Sequence, residues 1–70
     1  MKYRVAVWIN DEKLSLVQLA HSFDRQYTTW AVKNHPGTLF DDVNVAKEEL
    51  EKYLKRTNQN DLKTEIRPIR

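Results

Sequence analysis

Seventy residues make one small domain, since folded domains run from about 50 to 250 residues. A composition of 40% hydrophobic and 31% charged side chains, with one glycine and two prolines, excludes linker-like, collagenous and low-complexity chains. Zero cysteines exclude a disulfide scaffold, a thiol nucleophile and a thiolate metal site, and a net charge of +2 is too small a surplus to imply nucleic acid by itself.

Residues 2–9 (Lys-Tyr-Arg-Val-Ala-Val-Trp-Ile) are rich in β-branched and aromatic types and predict a first strand. They stop at Asn10-Asp11-Glu12-Lys13, a polar break before a second apolar run from Leu14 to Ala20. Two such runs read as a β-hairpin closed by a four-residue loop. A third run, Tyr27 to Lys33, follows the polar stretch Ser22 to Gln26. It ends at Asn34-His35-Pro36-Gly37, where Pro-Gly signals a turn. Asp41 and Asp42 are both N-cap types for a helix over 41–58. With Asp41 as the cap, Phe40 and Val45 take the two positions of a hydrophobic staple. Val43, Ala46, Leu50 and Leu54 recur at helical spacing, with Tyr53 on the flank. The opposite face holds Glu48, Glu51, Lys52 and Lys55, and the i,i+4 pairs Glu48–Lys52 and Glu51–Lys55 run in the favourable order. Periodicity fades after Lys55, where Asn58 and Asn60 suit a helix exit. Leu62 to Ile69 alternates loosely and predicts a last strand, marked as an edge by Pro68 and its charges.

The element order is therefore β-β-β-α-β within a single α+β domain spanning 1–70. It predicts a small single-layer sheet, an antiparallel meander plus a C-terminal edge strand, with one helix packed on one face. The strand–helix–strand step allows the third and fourth strands to run parallel through a right-handed crossover. The first two strands are the most continuously apolar and belong at the centre, which gives the strand order 3-2-1-4. Pairing Ile9 with Leu14 places Tyr3, Val5, Val7, Ile9, Leu14, Leu16 and Ala20 under the helix. The other face then carries Lys2, Arg4, Ala6, Trp8, Ser15, Val17, Leu19 and His21. An exposed antiparallel face is normally polar. Here Trp8, Val17 and Leu19 form an apolar patch ringed by Lys2, Arg4 and His21, and such a patch is an interface candidate. Trp30 can join either face, since Tyr27/Thr29/Ala31 and Thr28/Trp30/Val32 are both mixed. The competing reading is a one-residue bulge, or Trp8 covered by the Ser22–Gln26 loop.

Chemistry is sparse. His21 and His35 are the side chains whose ordinary titration lies near neutrality. His21, Ser22 and Asp24 have the letters of a hydrolase triad. Without a nucleophile elbow or a Gly-rich oxyanion loop, they read as hydrogen-bonded surface residues. His35 reads as an exposed turn residue held extended by Pro36. A set of His35, Asp41 and Asp42 matches no zinc or calcium spacing, and no P-loop, dinucleotide fingerprint or HExxH is present. The expectation is a non-enzyme with no catalytic residue, metal ligand or cofactor, and no small-molecule substrate is evident. No apolar run approaches the ~20 residues of a membrane helix. Met1-Lys2-Tyr3-Arg4 leads straight into a patterned strand, so neither a membrane segment nor a signal peptide is expected, and the expected location is the cytoplasm.

Charge is unevenly spread. Residues 1–51 hold six basic and eight acidic side chains, whereas 52–70 hold six basic against two acidic. A solvated helix end and a charged edge strand account for that imbalance. It also supplies nucleic-acid candidates: Lys33, Lys52, Lys55, Arg56, Lys63, Arg67 and Arg70. Arg4, Trp8, Arg25, Tyr27, Trp30 and Lys33 offer the types that stack bases and contact phosphate, but no RNP-type aromatic motif or helix-turn-helix spacing accompanies them. Trp, Tyr and Arg are equally the hot-spot types of protein interfaces. The expected function is a small non-enzymatic binding module acting through the outer sheet face, at Arg4, Trp8, Val17, Leu19 and Trp30. Its partner would be another protein or a second copy in a homodimer. The alternative is a nucleic-acid-binding accessory or regulatory protein, of the kind carried by phages and mobile elements, using the basic C-terminal third.

Overall fold

The structure, a computed structural model, describes residues 1–20 and 27–70. The elements follow in the expected sequence: β1 (Lys2–Ile9), β2 (Glu12–Ala20), β3 (Tyr27–Val32), α1 (Val43–Thr57) and β4 (Lys63–Ile69). They build one four-stranded sheet in the order β3-β2-β1-β4, as the hydrophobic patterning predicts, with β4 at an edge.

Asn10 and Asp11 alone close the β1–β2 hairpin, both at positive φ (52° and 65°), so Ile9 faces Glu12 and Val7 faces Leu14. Two left-handed residues in succession define a type I′ turn, which Asn and Asp tolerate better than other L residues. The expected pairing of Ile9 with Leu14 through a four-residue loop is therefore corrected by two residues. Side chains alternate with period two, so this shift leaves each residue on the face assigned to it.

Under α1, Val5, Val7 and Leu16 pack with Phe40, Ala46, Leu50 and Tyr53. Tyr53, expected on the flank, is buried, whereas Leu54 is half-buried. The buried stripe is thus Ala46, Leu50 and Tyr53, an i, i+4, i+7 series. Asp42 rather than Asp41 caps the helix, its Oδ1 accepting the Asn44 N–H at 2.7 Å. Asp41 pairs with Lys2 instead. A cap one residue later removes Phe40 and Val45 from the staple positions, and Val45 is exposed. On the outer side of α1, Lys52 Nζ meets Glu49 at 3.4 Å, not Glu48, because Glu49 is held at the core margin by the Thr29 hydroxyl, which donates to it at 2.9 Å. Asn58, in the left-handed region at φ 54°, ends the helix by donating its N–H to the Leu54 and Lys55 carbonyls.

The link from β3 to α1 shapes the sheet. β1 and β2 are paired from Ala6–Ser15 to Ile9–Glu12, and past Ala6 a strip of chain takes the place of that ladder. Thr38 donates its N–H to the Leu16 carbonyl at 3.0 Å, and the Gln18 N–H donates to Thr38 Oγ1 at 2.8 Å. Tyr3 and Phe40 exchange two backbone hydrogen bonds of 2.8 Å each. The strip carries the chain to the end of the sheet opposite the hairpin before α1 brings it back. Accordingly β4 begins with Lys63 opposite Trp8 and ends with Ile69 opposite Lys2, antiparallel to β1. The parallel relation of β3 and β4 that a strand–helix–strand step allows is not adopted; the sheet is antiparallel throughout. One crossing was already made by the strip, so the helix makes the return.

Candidate functional site

The face of the sheet away from α1 is set by register. Lys2, Arg4, Ala6 and Trp8 of β1 stand opposite Ile69, Arg67, Glu65 and Lys63 of β4. Lys13 stands beside Trp8, and Ser15, Val17 and Leu19 of β2 oppose Val32, Trp30 and Thr28 of β3. On the three strands β1, β2 and β4 this face carries Lys2, Arg4, Lys13, Lys63 and Arg67 against the single carboxylate of Glu65. This surplus of cations is larger than the net charge of +2 of the whole chain.

The turn after β3 folds over the middle of the face. Gly37 sits at φ 94°, and a Cβ there would stand 3.2 Å from the Ser15 Cβ and 3.5 Å from the Leu16 carbonyl oxygen. Only glycine suits both the angle and the approach. The Gly37 N–H donates to His35 Nδ1 at 2.9 Å, which fixes the turn and leaves Nε2 as the proton-bearing nitrogen of the neutral ring. Between this turn and β4 opens a cleft of about 400 Å³, lined by Arg4, Lys13, Ser15, His35, Glu65 and Arg67 among others.

Arg4 and Arg67 are direct cross-strand partners in the cleft wall. Neither makes an ion pair among the described residues. Arg4 Nε is buried and has no hydrogen-bond acceptor. The sequence offers Arg4 both as an interface residue and for base or phosphate contact, and Arg67 as a nucleic-acid candidate, without placing them side by side. The structure brings them together.

The five interface candidates do not form one patch. Trp8 lies at the hairpin end between Lys13 and Lys63, whose Nζ atoms stand 5.7 and 4.8 Å from the ring centroid. Val17 and Trp30 face each other across β2 and β3, about four residue steps away, which is roughly 13 Å at ~3.3 Å per residue. Arg4 and Val17 would be neighbours in a continuous hairpin, but the Thr38–Phe40 strip separates them. Val17 is buried, while Leu19 and Trp30 are 50% and 45% exposed. Arg56 reaches round the edge of β3 from α1, stacks on Trp30 with its guanidinium carbon 4.4 Å from the ring centroid, and donates to the Thr29 carbonyl.

The seven nucleic-acid candidates divide between two sides of the molecule. Lys52, Lys55 and Arg56 belong to α1, whereas Lys63 and Arg67 belong to the outer face of β4, with Arg70 just past its end. Lys33 follows β3 and pairs with Glu12 at 3.5 Å. His21, Ser22, Asp24 and Arg25, the last offered for base or phosphate contact, lie outside the described residues. Among the described residues no three side chains of metal-ligating type converge. Burial raises the Tyr53 phenol above its ordinary pKa of 10.0, with Arg56 acting in the opposite sense. Sequence reasoning did not single out Lys13, Ser15 or Glu65 as cleft residues. The signal that points to them is Gly37, the one glycine of the chain, because an isolated glycine beside a strand marks a close approach of backbone.

In comparisons with family models, curated proteins and solved structures, none matches this chain.

Proposed function

We propose that the chain is a small non-enzymatic binding module that acts through the outer face of its sheet and pairs there with a second copy of itself. The observation that carries this reading is the pair Leu19 and Trp30, half-exposed around buried Val17 on the face opposite the helix. The Arg56 guanidinium lies over the Trp30 ring, and Trp and Arg are the residue types that dominate interface energetics. A two-fold arrangement lets one such patch meet its own copy, and a domain of this size gains stability from the area buried. Sedimentation equilibrium at tens of micromolar tests it. A dimer is expected, and Trp30→Glu should dissociate it while Trp8→Glu, at the far end of the face, leaves it intact. A monomeric parent at that concentration overturns self-pairing and leaves a different protein as the partner.

The surplus of cations on the outer face, with Trp8 between two lysines, favours nucleic acid as the second reading. Phosphate contacts would make affinity fall steeply with salt. Fluorescence anisotropy with single- and double-stranded oligonucleotides at low and high salt checks this, and no binding at low salt removes it.

A further inference from the structure

We propose that the cleft between the 34–37 turn and β4 binds the phosphate group of a small phosphomonoester, gripped between Arg4 and Arg67. This site lies apart from Leu19 and Trp30, so it goes beyond self-pairing and does not depend on it. Like charges directly opposite on neighbouring strands destabilise a sheet, because their side chains spring from Cβ atoms only about 4.5–5.5 Å apart. Here the pair is two arginines with no acidic partner in ion-pair range among the described residues. The buried Arg4 Nε, moreover, lacks an acceptor, a condition that costs free energy. Both deficits are of one kind: among the described residues neither arginine has an anionic oxygen within bonding range.

A phosphate dianion supplies it. Each guanidinium presents a planar fork that fits two phosphate oxygens, and two guanidiniums match the two charges of a monoester. A phosphodiester carries one charge and would leave one arginine unneutralised. Nor do the cations of the C-terminal third form a track along which a nucleic-acid backbone could run, since α1 and β4 hold them on different sides. The cleft, at about 400 Å³, falls within the ~300–1,000 Å³ of small-molecule sites. Beyond the arginines its wall offers the Ser15 hydroxyl, the Glu65 carboxylate and Lys13, so the rest of the ligand meets polar groups.

The test uses the whole chain labelled with ¹⁵N and titrated with inorganic phosphate and with glycerol phosphate, against sodium chloride of matched ionic strength. Expected are saturable shifts of the Arg4 Nε–H and of the Ser15 and Gly37 amides with both phosphate compounds. Arg67→Gln should weaken binding roughly tenfold or more, as loss of charge-assisted hydrogen bonds does. In phosphate-free buffer the same substitution should raise the thermal midpoint by relieving the opposed charges. Glu65→Gln, which removes the one carboxylate of the wall among the described residues, should tighten binding. Shifts no larger than those with chloride overturn the proposal, as does an Arg67→Gln variant that binds phosphate like the parent. Shifts of the same resonances by a short oligonucleotide, with none from either phosphate compound, overturn it in favour of nucleic acid. The sedimentation result reports on pairing separately from all of these.

Discussion

Gly37 is the residue with the least freedom to change. Its φ of 94° and the 3.2 Å that would separate a Cβ from Ser15 leave no room for a side chain. Gly37→Ala should cost about 1–3 kcal/mol, the range for a residue held in an unfavourable backbone region. Urea melts read this directly, and a parent-like midpoint would mean the turn had shifted off β2. Tyr53 makes a prediction of a different kind. Because burial raises its phenol above 10.0 in the folded chain, the folded state holds that proton more tightly than the unfolded state. The stability it contributes is complete below about pH 10 and is lost as pH rises through the higher folded value. Urea midpoints should therefore fall above that pH in the parent and fall less in Tyr53→Phe. Equal alkaline losses in the two chains would place the sensitivity elsewhere.

At the scale of elements, the two adjacent aspartates before α1 separate by role. Asp42 caps the helix through the Asn44 N–H, so Asp42→Ala should cost about 0.5–2 kcal/mol. Asp41 makes an exposed pair with Lys2, and Asp41→Ala should cost no more than about 1 kcal/mol. Thermal melts of the two variants give the order, and the reverse order would move the start of α1 by one residue. Either aspartate fits the sequence pattern, since the difference is set by where Phe40 is pinned against Tyr3. The same limit runs through the rest of the fold. β1 and β2 were legible because Val5, Val7 and Leu16 alternate with outward residues, and strand order followed from their apolar continuity. The hairpin register was not, because Asn10-Asp11-Glu12-Lys13 reads as one polar loop until the left-handed pair at its head is seen. The direction of β4 was hidden by Thr38–Phe40, a stretch too short to carry a periodic signal. That direction decides which side chain faces Arg4, so the cleft could not be assembled from sequence even though both of its arginines stood out as candidates.

For the whole molecule, one small core supports everything else. Total stability at this length is roughly 4–10 kcal/mol, from about 0.05–0.15 kcal/mol per residue. Leu50 is 8% exposed against Val5, Val7 and Leu16, and Leu50→Ala should cost about 2–5 kcal/mol, enough to unfold much of the population. Glu48→Ala, on the exposed side of α1, should move the urea midpoint by no more than about 0.5 kcal/mol equivalent. If the two variants changed places, the helix would face the other way. The Thr38–Phe40 strip has a consequence for how the chain opens. It joins the leaf made of β2 and β3 to the leaf made of β1 and β4 wherever the hairpin ladder does not, so its release would let the leaves part about the Asn10–Asp11 turn without global unfolding. The amides of Tyr3, Gln18, Thr38 and Phe40 are bonded across that seam. Native-state hydrogen exchange should find these four sharing one opening free energy, below that of the ladder from Ala6 to Ile9. Four unrelated protection factors would show instead that the seam yields bond by bond.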